Sequence, residues 1–103
     1  MTHNEIQLDE TLNRATNGLR LAGEVLSKLE VSQRVTLDFE RVHRVTPSFA
    51  NAFVMTLLDR LTLDELRARI VMLNRKTNVA QAISESARRY MAGIRLTTQK
   101  AVA

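Results

Sequence analysis

Hydrophobic residues recur along this chain at two alternating spacings, one suited to strands and one to helices. Ile6-Gln7-Leu8 alternates apolar and polar between polar neighbours and predicts a short edge strand. From about Asn13 to Leu29 the residues Ala15, Leu19, Ala22, Leu26 and Leu29 return at three- and four-residue steps, with Arg20, Glu24 and Lys28 on the other side. That spacing predicts an amphipathic helix. Asn13 offers it an N-cap oxygen, and Glu24 to Lys28 is a favourable i,i+4 pair. The polar stretch from Glu30 to Arg34 predicts a loop. Val35-Thr36-Leu37-Asp38-Phe39 then reads as a strand with Val35, Leu37 and Phe39 on one face.

After this strand, Glu40 to Thr46 leads to the lone proline, Pro47, which interrupts any regular pattern and holds Thr46 extended. Ser48 is placed to cap a helix in which Phe49, Ala50, Phe53, Val54, Leu57, Leu58 and Leu61 form a wide apolar stripe, so this helix should be the best buried. Leu66-Arg67-Ala68-Arg69-Ile70-Val71-Met72-Leu73 begins with alternating charge and ends in an apolar run, the pattern of a covered strand. Asn74 to Asn78 is a loop, and Asn78 with Gln81 resembles a capping pair. Val79, Ile83, Ala87, Tyr90 and Met91 give the next helix its buried face, and Gly93 suits its C′ position. Ile94 to Thr98 reads as a closing edge strand. The elements alternate, which predicts an α/β fold: a small mixed sheet of about four strands with helices packed on it, joined by right-handed crossovers. Residues 1–98 make one domain and 99–103 a flexible tail.

Composition narrows the chemistry. The chain has 103 residues and no cysteine, which excludes a disulfide scaffold, a thiolate metal site and a cysteine nucleophile and suits a reducing compartment. The Met1-Thr2-His3-Asn4-Glu5 start lacks the basic and apolar regions of a secretory signal, and no stretch nears the ~20 apolar residues of a membrane span, so a cytoplasmic location without membrane attachment is expected. The formal charge is +4, and nine of the fifteen Lys and Arg lie in residues 52–103. A basic half opens a nucleic-acid or mobile-element regulatory role through Arg67, Arg69, Arg75, Lys76, Arg88, Arg89, Arg95 and Lys100, although these are spread over several elements. Phe39, Phe49 and Phe53 fall at core-facing positions, which leaves no platform for stacking bases.

No glycine-rich phosphate loop is present, and His3 and His43 have no acidic partner at a ligand spacing, so neither cofactor nor metal is expected. Asp38, His43 and Ser48 form the one acid, base and hydroxyl trio. They crowd into eleven residues with no glycine elbow to expose the serine, so the chain is not expected to be an enzyme. Asp38 reads more simply as a strand-end carboxylate that accepts from backbone donors of the following loop.

Val35 to Val42, followed by Val45-Thr46-Pro47-Ser48-Phe49-Ala50-Asn51-Ala52-Phe53, resembles the STAS-like family of small bacterial proteins of unassigned function, related to the anti-sigma factor antagonist fold. The shared features are a strand ending in Asp-Phe, a short linker, and Ser-Phe-Ala opening a helix. Asn13-Arg14 and Arg69-Ile70-Val71-Met72-Leu73-Asn74 leading to Val79 and Ile83 add to the likeness, which spans residues 6 to 91. In the antagonists a serine at this helix start is phosphorylated by a histidine-kinase-like ATPase. The resemblance therefore implies that Ser48 is a phosphoacceptor. It also implies a surface of Arg41, His43, Arg44, Thr46, Pro47, Ser48, Phe49 and Asn51 that docks a regulatory ATPase, kinase or anti-sigma-like factor. A homodimer is a further expectation, since such sheets leave an edge strand to cover. The antagonists carry Asp-Ser-Ser-Gly or Asp-Ser-Thr-Gly where this chain has Thr46-Pro47-Ser48-Phe49. Ser48 is thus either a phosphoacceptor or only a helix cap, and Phe49 either a docking anchor or core.

Overall fold

The computed structural model describes residues 5–8 and 14–102, with side chains as far as Gly93. Its elements are β1 (Glu5–Gln7), α1 (Ala15–Leu29), β2 (Val35–Asp38), α2 (Pro47–Leu58), α3 (Leu63–Arg69), β3 (Ile70–Leu73) and α4 (Thr77–Val102). The strands lie in the order β1-β2-β3, all parallel, with Ile6 opposite Leu37 and Leu37 opposite Met72. That register puts Ile6, Leu37 and Met72 on one face and Gln7, Asp38 and Leu73 on the other. Val35, Leu37 and Ile70 are buried, whereas Glu5, Gln7 and Leu73 are exposed. The helices therefore cover one face only, as successive crossovers of the same hand along the order β1-β2-β3 produce.

The core between sheet and helices is filled by Val25, Val35, Leu37, Phe39, Phe49, Phe53, Leu57 and Val79. Phe49 and Phe53 stack with ring centroids 5.8 Å apart. The buried side of α1 is Gly18, Leu21, Ala22, Val25 and Leu29, while Leu19 is 53% exposed, so the stripe is rotated from the one predicted through Ala15, Leu19 and Leu26. Gly18 is the cause. A Cβ there would stand 2.5 Å from the Phe49 carbonyl oxygen and 2.9 Å from the Phe53 nitrogen. Only a glycine lets the two helix backbones come so close, and this contact sets the rotation of α1. Arg14 occupies the N-cap of α1 without a side-chain cap, and Asn13 lies outside the described residues.

Three further expectations are corrected. The sheet has three parallel strands among the described residues instead of about four in a mixed sheet. The chain from Ile94 to Thr98 is helical because α4 continues through Val102, and Gly93 does not act as a C′ stop. That stop needs a left-handed glycine, and no described glycine has a positive φ. Leu66 to Arg69 belongs to α3, leaving β3 only four residues. Thr62 and Glu65 form a reciprocal capping box, and Asp64 and Glu65 at one end with Arg67 and Arg69 at the other match the helix dipole. The charges that suggested alternation are those of a short helix.

Polar side chains tie the elements together at their ends. The Arg69 guanidinium donates to the carbonyls of Leu29 (2.7 Å), Ser32 (3.0 Å) and Gln33 (3.1 Å), closing the C-terminal end of α1 and the loop beyond it. Tyr90 donates to the Leu58 carbonyl and to Asp59 at the end of α2. No helix among the described residues is long and apolar enough to cross a membrane.

The Gly18 contact is with backbone atoms that cannot swing away. Gly18→Ala should therefore lower stability by about 1–3 kcal/mol despite the better helix propensity of alanine. Urea unfolding followed by circular dichroism should show a lower midpoint with an unchanged slope.

Candidate functional site

The carboxyl ends of parallel strands bring the connections that follow them side by side, and here the loop from Phe39 to Thr46 lies against the turn that leaves β3. Phe39 and Val42 have no exposed surface and anchor the loop from within. The Phe39 amide donates to Leu73 and the Val42 amide to Phe39, both at 2.9 Å. One oxygen of Asp38 accepts from the Glu40 amide (2.9 Å) and from the Asn74 side-chain amide (3.0 Å). The Lys76 ammonium donates to the carbonyls of Glu40 and Val42, each at 3.2 Å, and the Asn78 side chain donates to the His43 carbonyl at 2.9 Å. Three side chains of one short segment thus hold the whole loop.

Asn74 has φ 60, a left-handed conformation that asparagine tolerates better than most residues. This turn directs the segment back across the loop. Asn78 does not cap α4 with Gln81; the helix starts at Thr77, and Asn78 is spent on His43 instead. The clamp of Asn74, Lys76 and Asn78 was not apparent in the sequence, where residues 74–78 read as a loop with Asn78 as a helix cap. The available signal was topological, since consecutive parallel strands must deliver their following loops to the same end.

Because the main-chain groups of the loop are held from the α4 side, the side chains of Arg41, His43 and Arg44 project outward and are exposed. Pro47 and Ser48 are exposed beside them at the start of α2. Thr46 is the N-cap of this helix: its hydroxyl accepts from the Phe49 amide at 3.2 Å, with Pro47 at the first helical position. Ser48 is therefore not the cap: Pro47 has no N–H to satisfy, and the free amide of Phe49, three residues after Thr46, is the one the Thr46 hydroxyl reaches. Phe49 lies in the core with no exposed surface, which settles its two readings in favour of packing. Asn51 is half-buried, and its side-chain oxygen accepts from Ser86 (2.7 Å) and Arg89 (3.1 Å) of α4. Of the eight docking residues expected, Arg41, His43, Arg44, Pro47 and Ser48 share the outer surface. Thr46 is half-buried, and Phe49 and Asn51 face inward.

The patch is positive. It combines Arg41 and Arg44 with the positive end of α2, whose first turn has no acidic residue. Behind it the hydrogen bond from Asn74, then that from the Glu40 amide, and then the Arg41 charge hold the Asp38 carboxyl below its ordinary value. Asp38 accepts from Glu40 and Asn74, and no hydrogen bond among the described residues joins it to His43 or Ser48. Nor do any three His, Asp or Glu side chains among the described residues stand together as metal ligands.

Two outcomes test this construction. Thr46→Ala should cost about 1 kcal/mol and Ser48→Ala less than about 0.5 kcal/mol in thermal or urea unfolding, the reverse of a Ser48 cap. Since the folded state lowers the Asp38 pKa, ionised Asp38 adds stability above the unfolded-state pKa, and that contribution is lost as pH falls through the folded one. Asp38→Asn should therefore be less stable than wild type at neutral pH, with the gap closing only as the pH falls below the ordinary carboxylate value and through the lowered folded one.

No curated protein and no solved structure matches the chain. A family described as a STAS-like domain of unknown function (DUF4325) matches residues 17–80, from the first turn of α1 to the first turn of α4. The match takes in β2, the clamped loop, Ser48 and all three residues of the clamp. It agrees with the α/β fold and with the likeness carried by the Asp-Phe and Ser-Phe-Ala motifs. The chain belongs to this STAS-like family.

Proposed function

We propose that this domain is a non-enzymatic regulatory module that binds another protein through the outer face of the Arg41 to Ser48 segment and is switched by phosphorylation of Ser48. The observation that carries the reading is the state of Ser48: an exposed hydroxyl in the first turn of α2 that the helix does not use as its cap, beside a loop held by hydrogen bonds. The partner that fits is a regulatory ATPase or kinase of the histidine-kinase-like type, or an anti-sigma-like factor. In the kinase case, the Ser48 oxygen attacks the terminal phosphorus of the kinase's ATP. The new O–P bond replaces the one to ADP, and the hydroxyl proton passes to a base of the kinase.

The physics of the switch is local. Phosphate adds a charge of about −1.5 to −2 at the positive end of α2, which is favourable within the domain, and cancels most of the positive charge of a surface otherwise led by Arg41 and Arg44. Docking changes while the fold does not. A held loop also suits recognition, because little conformational entropy remains to be lost on binding.

Affinity capture from the native host, with wild type, Ser48→Ala and Ser48→Glu as baits, tests the proposal. Wild type and Ser48→Ala should retain the same ATPase or regulator and Ser48→Glu should release it, with a phosphopeptide containing Ser48 found by mass spectrometry. Equal retention by all three baits overturns it. Retained material that nuclease removes and that falls away steeply with salt assigns binding to the basic residues of the C-terminal half instead.

A further inference from the structure

β3 is the outer strand of the sheet, and among the described residues no strand pairs with its far side. The Leu73 carbonyl accepts from Phe39, so the main-chain groups of Leu73 point toward β2. Successive residues of a strand alternate, and the N–H and C=O of Met72 therefore point to the open edge. Along this edge α3 and α4 stand apart and leave a trough of about 600 Å³. Its floor is Ile70, Met72 and Ile83, and its walls include Leu66, Ala87 and Met91. Met91, on the wall of the trough, is 38% exposed.

The charges on the trough select its occupant. Arg67, Arg75 and Arg88 line it, no carboxylate does, and none of the three has a carboxylate partner among the described residues. A second copy of the chain pairing through β3 would bring two such sets of arginines together, which is unfavourable. We propose that this edge accepts an extended acidic segment of a partner protein as a fourth strand, with apolar side chains at every second position in the trough and flanking carboxylates on the arginines. Main-chain hydrogen bonds to Met72 then hold the segment, and the trough and its rim choose the sequence. This surface is separate from the Ser48 patch, and the two proposals stand or fall independently.

The probe is a blocked peptide, Asp-Asp-Ile-Thr-Val-Thr-Ile-Asp-Asp, titrated into the full chain and followed by amide NMR shifts and hydrogen exchange. Binding should shift the amides of Ile70 to Leu73 and slow exchange of the Met72 N–H. Replacing the four Asp with Lys, or making Arg67→Ala with Arg88→Ala in a variant of unchanged melting temperature, should weaken binding roughly tenfold or more. Two further peptides, N-methylated at alternate core residues, leave the protein untouched: one should lose binding and the other keep it, since only one set of amides faces β3. The proposal is overturned if millimolar peptide leaves the β3 amides unmoved, if the Lys peptide binds equally, or if both methylated peptides behave alike. It is equally overturned if sedimentation shows a dimer of the chain alone with the Met72 amide protected.

Discussion

The close approach of α1 to α2 at Gly18 is the contact on which the rest of the domain depends. A helix pair normally keeps its axes apart by the bulk of its side chains, and here that bulk is missing at the one point where the carbonyl of Phe49 meets α1. The first turn of α2 is thereby pressed against α1 while Phe49 and Phe53 stack in the core below it. Ser48 precedes Phe49, so the position of this exposed hydroxyl follows from the packing of its neighbour. A surface residue is placed here by a buried contact.

The loop before α2 is ordered by different means. It has no regular secondary structure to satisfy its carbonyls; Lys76 of the turn after β3 and Asn78 of α4 donate to them, while Asn74 of the same turn donates to the Asp38 carboxylate beside the loop. An amide on the Asp38 carboxylate and an ammonium shared by two carbonyls are strong at modest exposure, because one partner in each is charged. The consequence is a division of labour within one segment: main-chain groups face the clamp, and the side chains of Arg41, His43 and Arg44 face outward. The surface is both cationic and preformed.

At the other side of the sheet the domain is less complete. Among the described residues, three strands covered on one face leave β3 as a bare edge with an apolar trough beside it, and α4 continues through Val102 where a returning strand was anticipated. Free edges invite pairing, and the arginines at this one bias what can pair with it. Two surfaces thus differ in character, one of side chains on a held loop and one of main chain along a strand.

The residues themselves determined much of this. Strands at Ile6 and Val35, the buried α2, and α4 from Val79 follow from periodicity, because burial of one face repeats in the chain with the geometry of the element. Asp38 as a strand-end acceptor was legible too, from its place after a β-branched run, as was a helix starting beside Pro47 and Ser48. Periodicity left open choices between local options of similar energy, two settled by neighbouring residues and one by a tertiary contact. Thr46 and Ser48 both make good caps, and Pro47 settled which amide was within reach. Leu66 to Arg69 suits either helix or strand, and the capping box of Thr62 and Glu65 tipped it. Leu19 and Leu21 both suit the buried side of α1, and Gly18 on the backbone of α2 chose between them. Asn51, Asn74, Lys76 and Asn78 gave no local sign of their roles, since their partners lie more than thirty residues away in the chain and only the parallel sheet brings them together.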